Sequence, residues 1–145
     1  MVQNKSLTQH CSFAPMTTKK TIETPPKHLV TGKLGENIAV TFLQKKGWRI
    51  DAKNWKGGRG EIDIIAWDTD NKLVFVEVKT RSNESFGGPE GSITARKQAL
   101  IAKTAGLYME SIDYNWEIRF DVVAVILRRG ILVDLRHIED AFFPF

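Results

Sequence analysis

Two stretches near the middle of the chain place acidic residues inside apolar runs that alternate in the manner of β-strands. The first runs from Gly60 to Asp68 and the second from Leu73 to Lys79, and both are rich in β-branched and aromatic residues. The short polar gap between them contains an Asp-Asn pair, which is typical of a tight turn. The pattern therefore predicts an antiparallel hairpin with acids on both strands.

The register of this hairpin decides which acids meet. If the hairpin closes at Asp68, antiparallel pairing puts Asp63 opposite Glu77. The same register puts Glu61 opposite Lys79, and all four side chains then project from one face. A slip of one residue would instead separate Asp63 and Glu77 onto opposite faces of the sheet.

The other positions of the hairpin are mostly apolar on both faces. The face opposite the acids is predicted to carry Ile62, Ile64, Ala66, Val74, Val76 and Val78. A sheet that is apolar on both sides is normally covered on both sides. We therefore expect the charged cluster to lie at the end of a buried surface.

Two carboxylates on facing strand positions repel each other, so a positive group should lie between Asp63 and Glu77. A hard divalent cation is the natural candidate, since Mg²⁺ binds one or two carboxylates, several waters and the phosphates of a substrate. Lys79 lies on the same face and could hold a metal-bound water or a phosphate oxygen. The pattern thus points to a metal site.

A plainer interpretation of the same residues needs no metal. Glu61 and Lys79 could form an ordinary cross-strand ion pair, because strand ends commonly carry charges. Asp63 would then lie beside solvent or beside an arginine, either Arg81 or Arg119. The pattern by itself leaves both interpretations open.

The rest of the chain divides into a tail and one domain. Residues 1–27 are polar, contain three prolines and show no sustained period, which predicts a disordered tail before a domain at 28–145. Apolar residues recur at helical spacing from Gly32 to Lys46 and from Ser92, a candidate N-cap, to Glu110. Further strands are predicted at 48–53, Trp116–Leu127 and Ile131–Leu135, which gives the order helix, three strands, helix, two strands.

Composition narrows the class of protein without naming a function. A chain of 145 residues with 42% hydrophobic residues suits one globular domain. No apolar run approaches the roughly 18 to 20 residues of a membrane span, and a signal-peptide core is lacking, so we expect a cytoplasmic protein. The lone Cys11 excludes an internal disulfide, and the three histidines are too scattered for a ligand pattern.

The net charge of +4 belongs mostly to the tail, where four lysines and one glutamate give +3. Local segregation is more informative, because residues 45–59 hold six basic residues and one acid. Such a stripe suits a phosphate backbone, and a solvated surface is the alternative. Within it, the segment from Lys56 through Arg59 to Gly60 contains three glycines. It could approach phosphates closely or form a simple flexible turn.

These residues resemble a known motif. An aspartate on one strand followed by Glu-x-Lys on the next is similar to the PD-(D/E)XK nuclease superfamily. The wider match resembles the small bacterial YraN-type family, which is similar to archaeal Holliday-junction resolvases. The motifs that carry the match are Gly35-Glu36, the run 60–66, the run 74–81, Lys97-Gln98 and the run 119–123.

The resemblance implies an α/β fold with a restriction-endonuclease-like core, in which helices flank a central mixed sheet of about five strands. It makes Asp63 and Glu77 the ligands of Mg²⁺ or Mn²⁺, with the carbonyl of Val78 a third oxygen. It also makes Glu36 an additional acid facing the site. By position alone, that glutamate would only complement the dipole of its helix.

The remaining roles follow the same resemblance. Lys79 would orient or help to activate the attacking water, and Gln98 matches a helix position at which related nucleases place a polar supporting residue. The proline that precedes the aspartate in the superfamily is absent, since Ile62 occupies that position. Contacts with nucleic acid are expected from Lys56, Arg59, Arg81, Arg96 and Lys97.

The expected function is metal-dependent hydrolysis of DNA phosphodiester bonds, with branched or junction DNA as a candidate substrate. Because resolvase-like enzymes act as dimers, a homodimer is left open. One alternative is a nucleic-acid-binding module that keeps the nuclease fold with little or no catalytic activity. Another is an interaction protein whose acids are merely paired with lysine and arginine.

Overall fold

The computed structural model describes residues 23–82 and 93–143, and these residues form two helices and five strands. The order along the chain is the predicted one. The elements are α1 (Lys27–Lys45), β1 (Arg49–Gly57), β2 (Gly60–Trp67), β3 (Leu73–Arg81), α2 (Ala95–Ser111), β4 (Ile118–Arg128) and β5 (Ile131–Ile138).

Helix α1 begins earlier than its apolar period predicts. It starts at Lys27, directly after Pro26, whereas the pattern placed the start at Gly32. Proline at this point gives up no helical hydrogen bond, because the first N–H groups of a helix have no partner within it. Residues 1–22 of the predicted tail lie outside the described residues, so the tail and the domain boundary stay predictions.

Helix α2 begins later than predicted. Its N-cap is Thr94, whose hydroxyl accepts the backbone N–H of Lys97 at 3.2 Å. The prediction that Ser92 caps this helix is therefore wrong, because a later side chain satisfies the free N–H groups of the first turn. The sequence also predicts a loop from Ser82 to Gly91, because this stretch holds three glycines and a proline. The predicted loop falls almost wholly in residues 83–92, which lie outside the described residues.

The five strands form one mixed sheet in the order β1-β2-β3-β4-β5. Strands β3 and β4 pair in parallel, and the other neighbours pair antiparallel. A parallel pair needs a crossover connection, and α2 provides it. The predicted register of the hairpin is confirmed from Ile64, which faces Val76, to Trp67, which faces Leu73.

Apolar side chains cover the sheet on both faces, as predicted. On one face, Ile65 and Phe75 pack with Tyr108 of α2. On the other face, Ile64 and Val76 pack in a cluster that includes residues of α1. All five of these side chains are buried.

One face assignment is wrong. Ile62 was expected beside Ile64 on the α1 face, but it packs in the cluster on the α2 face. The ladder between β2 and β3 ends at Ile64, whereas β2 stays paired with β1 as far as Gly60. A two-stranded ribbon twists more strongly than the middle of a sheet. The two-residue alternation of β2 is interrupted between Ile62 and Ile64, in the part of the strand that pairs with β1 alone.

Two glycines let the helices approach the sheet closely. A Cβ atom at Gly35 of α1 would lie 1.8 Å from Oγ1 of Thr80 on β3. A Cβ atom at Gly60 of β2 would lie 1.9 Å from Oγ1 of Thr104 on α2. The first approach brings the next residue of α1, Glu36, toward the end of β3.

Candidate active site

Asp63 lies where β2 separates from β3. Its Oδ2 accepts the backbone N–H of Val78 at 2.7 Å, one residue beyond Glu77. The regular ladder has already ended at Ile64, so Asp63 and Glu77 are neighbours across a splayed pair of strands. The predicted pairing of Glu61 with Lys79 does not form part of this ladder.

Glu77 is the buried acid of the site, with 7% of its side chain exposed. Its Oε1 lies 3.2 Å from Nζ of Lys97 and 4.0 Å from Nζ of Lys79. Lys79 belongs to the same strand, whereas Lys97 reaches the carboxylate from the first turn of α2. Two ammonium groups therefore approach one carboxylate oxygen.

The surroundings of Asp63 disfavour its charged form. Burial raises its pKa, and the charges of Glu77 and Glu36 raise it further. The hydrogen bond from Val78 and the charge of Lys97 lower the pKa, but they do not compensate, and it reaches about 7. A group whose pKa is raised in this way favours a nearby cation.

Glu36 comes to the acids from α1. Asn54 of β1 donates from Nδ2 to its Oε2 at 2.9 Å. The pKa of Glu36 is raised by burial and by the charges of Glu61 and Glu77. The charge of Glu36 raises the pKa of Asp63, and the charge of Glu77 raises the pKa of both. The three acids are therefore within electrostatic reach of one another.

Two features of the site were missed by sequence reasoning. Asn54 has φ +48°, a left-handed conformation inside a strand that asparagine tolerates better than most residues. Lys97 was expected to contact nucleic acid, and the structure places it in an ion pair with Glu77. An asparagine within a run of strand residues is a weak signal for the role of Asn54. The contact of Lys97 depends on how α2 packs against the sheet, which no local pattern reveals.

The acids of the site offer few ligands to a metal ion. Within residues 23–82 and 93–143, no group of three or more His, Cys, Asp or Glu side chains converges closely enough to hold a metal ion. Mg²⁺ does not need such a cage, because it binds through one or two carboxylates and keeps several waters. Asp63 and Glu77 supply two carboxylates whose mutual repulsion Lys97 and Lys79 offset only in part, so this donor set fits a hard divalent cation.

Gln98 is not brought to the acids by any hydrogen bond of the structure. Its Nε2 donates to the carbonyl of Ile93 at 3.1 Å, and its backbone N–H donates to the carbonyl of Thr94 at 2.9 Å. Gln98 therefore secures the first turn of α2. Lys97 reaches Glu77 from that turn.

The expected contacts for nucleic acid lie on exposed positions. Lys56 on β1 lies 3.9 Å from Glu61 on β2, and both side chains are largely exposed. Arg59 sits in the turn between these strands, where Gly58 has φ +59°, so the glycine-rich segment is a tight turn. Arg81 ends β3, and Arg96 lies in the first turn of α2; both are exposed.

Arg119, one suggested partner of Asp63, belongs to a different cluster. It donates to Asp121 at 2.8 Å and to Asp68 at 3.2 Å. His137 lies 2.8 Å from the same Asp121, and its ring packs against Trp48. This buried network was also missed, because its members are scattered along the sequence.

The family comparison agrees with the motifs. The family model described as "Uncharacterised protein family UPF0102" matches residues 35–125. A UPF0102 protein of Flavobacterium psychrophilum is 45% identical over 119 residues, covering 82% of this chain and 98% of the relative. One from Bacteroides thetaiotaomicron is 40% identical over 118 residues, covering 81% and 96%. The YraN-type resemblance is thereby confirmed.

Solved structures show weaker likeness. A repair endonuclease from Pyrococcus abyssi has a TM-score of 0.39 and 18% identity, covering 66% of this chain and 38% of that one. Pyrococcus furiosus SfsA in complex with Ca²⁺ has a TM-score of 0.35 and 16% identity, covering 77% and 63%. The present chain thus spans less than two thirds of the length of either protein.

Neither described helix is long and apolar enough to cross a membrane.

Proposed function

The chain belongs to uncharacterised protein family UPF0102, and we propose that it is a metal-dependent endonuclease that hydrolyses DNA phosphodiester bonds. The observation that carries this proposal is the crowding of Asp63 against Glu77 at the splayed end of β2 and β3. Two partly compensated carboxylates are costly unless a cation offsets their repulsion. Branched or junction DNA is the substrate class that we propose to test first.

Asp63 and Glu77 would hold Mg²⁺ or Mn²⁺, with the carbonyl of Val78 as the third expected oxygen. Glu36 would add a carboxylate from the α1 side. When bound, the ion would neutralise negative charge that develops on the scissile phosphate. The number of ions is left open.

The lysines and the glutamine have separate tasks in this proposal. Lys79 has a side chain that is 21% exposed, so its ammonium group can meet both Glu77 and solvent. From there it would orient the attacking water or a phosphate oxygen. Gln98 would act at a distance, because its bonds to Ile93 and Thr94 hold the turn that carries Lys97.

DNA binding would draw on basic residues around the acids. Lys56 and Arg59 lie at the tip of the β1-β2 ribbon, Arg81 lies at the end of β3, and Arg96 lies in the first turn of α2. Phosphate contacts of this kind position a duplex without reading its sequence. A homodimer that acts on two strands stays a prediction, and sedimentation of the free protein tests it.

The deciding experiment is titration of Mn²⁺ and Mg²⁺ into wild type and the double variant Asp63→Asn/Glu77→Gln. Thermal stability and cleavage of branched, flapped and linear DNA are read in parallel. The double variant Asp70→Asn/Glu110→Gln is a matched control, because it removes the same charge from exposed acids. We expect stabilisation and cleavage in wild type and control, and neither in the site variant.

A second function has a specific observation in its favour. The Glu77 carboxylate already forms an ion pair with Lys97, so the site is partly neutralised without a metal. A nucleic-acid-binding module with this fold would bind DNA with strong salt dependence and no need for a divalent ion. Wild-type protein that binds DNA but neither responds to metal nor cuts would establish this alternative over the nuclease.

A further inference from the structure

The contact between Lys97 and Glu77 joins a mobile group to a fixed one. Nζ of Lys97 lies 3.2 Å from Oε1 of Glu77. The lysine side chain is 44% exposed, whereas the glutamate side chain is 7% exposed. The carboxylate is therefore held inside the protein, while the ammonium group has direct access to solvent.

The lysine is anchored by its backbone. The hydroxyl of Thr94 accepts its N–H at 3.2 Å, and Gln98 secures the same turn by donating to Ile93. A long lysine side chain keeps most of its rotamer freedom when only its backbone is fixed. Lys97 can thus leave Glu77 without any movement of α2.

The position of Lys97 is not explained by the stability of its helix. The first turn of α2 contains Arg96 and Lys97 and no acid. Positive side chains near a helix N-terminus oppose the helix dipole, which favours acids there. The contact that does stabilise Lys97 at this place is the one with Glu77, across the gap between α2 and β3.

One lysine does not balance the acids that surround it. Asp63, Glu77 and Glu36 interact with one another, and the charge of Lys97 lowers the pKa of Asp63 by less than either Glu77 or Glu36 raises it. Nζ of Lys79 lies farther from Oε1 of Glu77 than Nζ of Lys97 does. Lys79 belongs to β3, the strand that carries Glu77. A divalent ion on Asp63 and Glu77 would deliver twice the charge to the same oxygens, so it would compete directly with Lys97.

We propose that Lys97 is an exchangeable counter-ion of Glu77, which neutralises this carboxylate in the metal-free protein and must be displaced when a divalent ion binds. The inference rests on the proposed metal site. Its consequence is that Lys97 sets the concentration of divalent ion at which the site loads. Lys97 is here a positioning and tuning residue, acting through Glu77.

The test is the affinity for Mn²⁺ alone, without DNA, measured by isothermal titration calorimetry at pH 8 and constant ionic strength. Wild type is compared with Lys97→Met, which removes the counter-ion, and with Lys97→Arg, which retains it. Lys103→Met is the matched control, because it removes the same charge from an exposed position of the same helix. Constant salt is required because exposed charges act through a screened field.

We expect Lys97→Met to bind Mn²⁺ about tenfold more tightly than wild type, as loss of a charged competitor paired with Glu77 implies. Lys97→Arg and Lys103→Met should stay close to wild type. Should Lys97→Met not fold, Lys97→Gln supplies the same comparison, because its neutral amide can still donate to Glu77. Equal or weaker Mn²⁺ binding by the neutral variants overturns the inference.

Failure of this inference can be told apart from failure of the proposed function. If wild type binds Mn²⁺ and the neutral variants bind it no more tightly, the metal site stands and the role of Lys97 is overturned. If neither wild type nor any Lys97 variant binds Mn²⁺, the metal site itself is overturned. In that second case Lys97 is simply the permanent partner of Glu77.

Discussion

Oδ2 of Asp63 accepts the backbone N–H of Val78 at 2.7 Å, beyond the point where β2 and β3 stop pairing. A side-chain oxygen thus replaces the carbonyl that a continuing ladder would have supplied. The N–H of Val78 keeps a partner, and the strands are free to splay. Asp63 therefore has a structural role as well as its proposed chemical one.

The first prediction concerns the charge of Asp63. Its pKa of about 7 in the folded protein lies above the ordinary value of 3.8, so folding takes up a proton between these pH values. Ionisation of Asp63 therefore lowers the free energy of unfolding. The loss is complete well above pH 7 and almost absent below pH 4. Asp63→Asn should match wild type at pH 4 and exceed it at pH 8 by about 1 kcal/mol or more.

Urea unfolding at both pH values, in the presence of a chelator, measures this difference. Asp63→Ala is the informative companion, because alanine also leaves Val78 without its acceptor. It should therefore be less stable than Asp63→Asn at both pH values. A difference between wild type and Asp63→Asn that does not change with pH would contradict the assignment.

The second prediction concerns Asn54 as a support for Glu36. Glycine tolerates the φ of +48° found at this position, so Asn54→Gly should cost little stability while it removes the hydrogen bond to Glu36. Asn54→Ala should cost about 1 to 2 kcal/mol, because it adds left-handed strain. Under the proposed function, Asn54→Gly should lower the cleavage rate.

A double-mutant cycle with Glu36→Gln separates this support from a general effect. If Asn54 acts through Glu36, Asn54→Gly should change the cleavage rate much less once Glu36 has been replaced. Single-turnover cleavage at saturating Mg²⁺ is the measurement. Fully additive effects would show that Asn54 does not act through Glu36.

The third prediction concerns the approach of α1 to the sheet. A Cβ at Gly35 would lie 1.8 Å from Oγ1 and 2.8 Å from Cβ of Thr80, so Gly35→Ala must displace the helix. We expect a loss of about 2 kcal/mol or more in the free energy of unfolding, which is the cost of overpacking. Thermal or urea unfolding measures it.

Gly32→Ala is the matched control in the same helix, since no atom lies within 4 Å of a Cβ at that position. Alanine favours helix over glycine, so this variant should gain about 0.5 to 1 kcal/mol. When Thr80→Gly is added to the Gly35→Ala variant, it should restore much of the lost stability, because it removes the side chain that clashes with the new Cβ. If both glycine substitutions behaved alike, close approach would not explain Gly35.

Sequence reasoning predicted the elements better than their surroundings. Alternation in the hairpin placed Ile64 opposite Val76 correctly, because burial of both faces fixes the register. The same alternation failed at Ile62, since the sequence does not reveal where β2 leaves β3. Helix starts failed at Ser92 and Gly32, where several residues could begin the first turn with similar free energies.

The site was predictable where neighbours lie on adjacent strands. Glu77 and Lys79 lie on one face of β3 through its two-residue period, and Asp63 reaches the same end of the hairpin by accepting the N–H of Val78. The contact of Lys97 with Glu77 depends on how α2 packs, and the contact of Asn54 with Glu36 depends on how α1 packs. No local pattern carries that information.

The last prediction concerns Asp121, whose side chain is fully buried on β4. Arg119 donates to it from Nε at 2.8 Å, His137 lies 2.8 Å away, and the N–H of Asp140 donates at 3.0 Å. Asparagine at this position would direct an NH₂ group toward groups that are themselves donors. The substitution would also remove the negative charge that Asp121 contributes. Asp121→Asn should therefore cost about 3 kcal/mol of stability at pH 7, the usual scale for breaking a buried ion pair.

The pH dependence of that cost has a defined sign. Burial by itself raises the pKa of Asp121, but hydrogen bonds from His137, Arg119 and Asp140 outweigh it and hold the pKa below 3.8. A lowered pKa stabilises the fold above the unfolded value, and the contribution disappears as pH falls through the folded value. The gap between wild type and Asp121→Asn should hence shrink below about pH 4.

Urea unfolding at pH 7, 5 and 3 tests this dependence, and Mn²⁺ titration of the same variant tests its separation from the acids. Asp121 contacts Arg119 and His137, whereas Asp63 and Glu77 contact Val78 and Lys97. The Mn²⁺ midpoint should accordingly be unchanged in folded Asp121→Asn. A shifted Mn²⁺ midpoint would mean that the two clusters are coupled through the neighbouring strands β3 and β4. A stability difference between wild type and Asp121→Asn that persists at pH 3 would mean that Asp121 stabilises the fold by packing instead of by its charge.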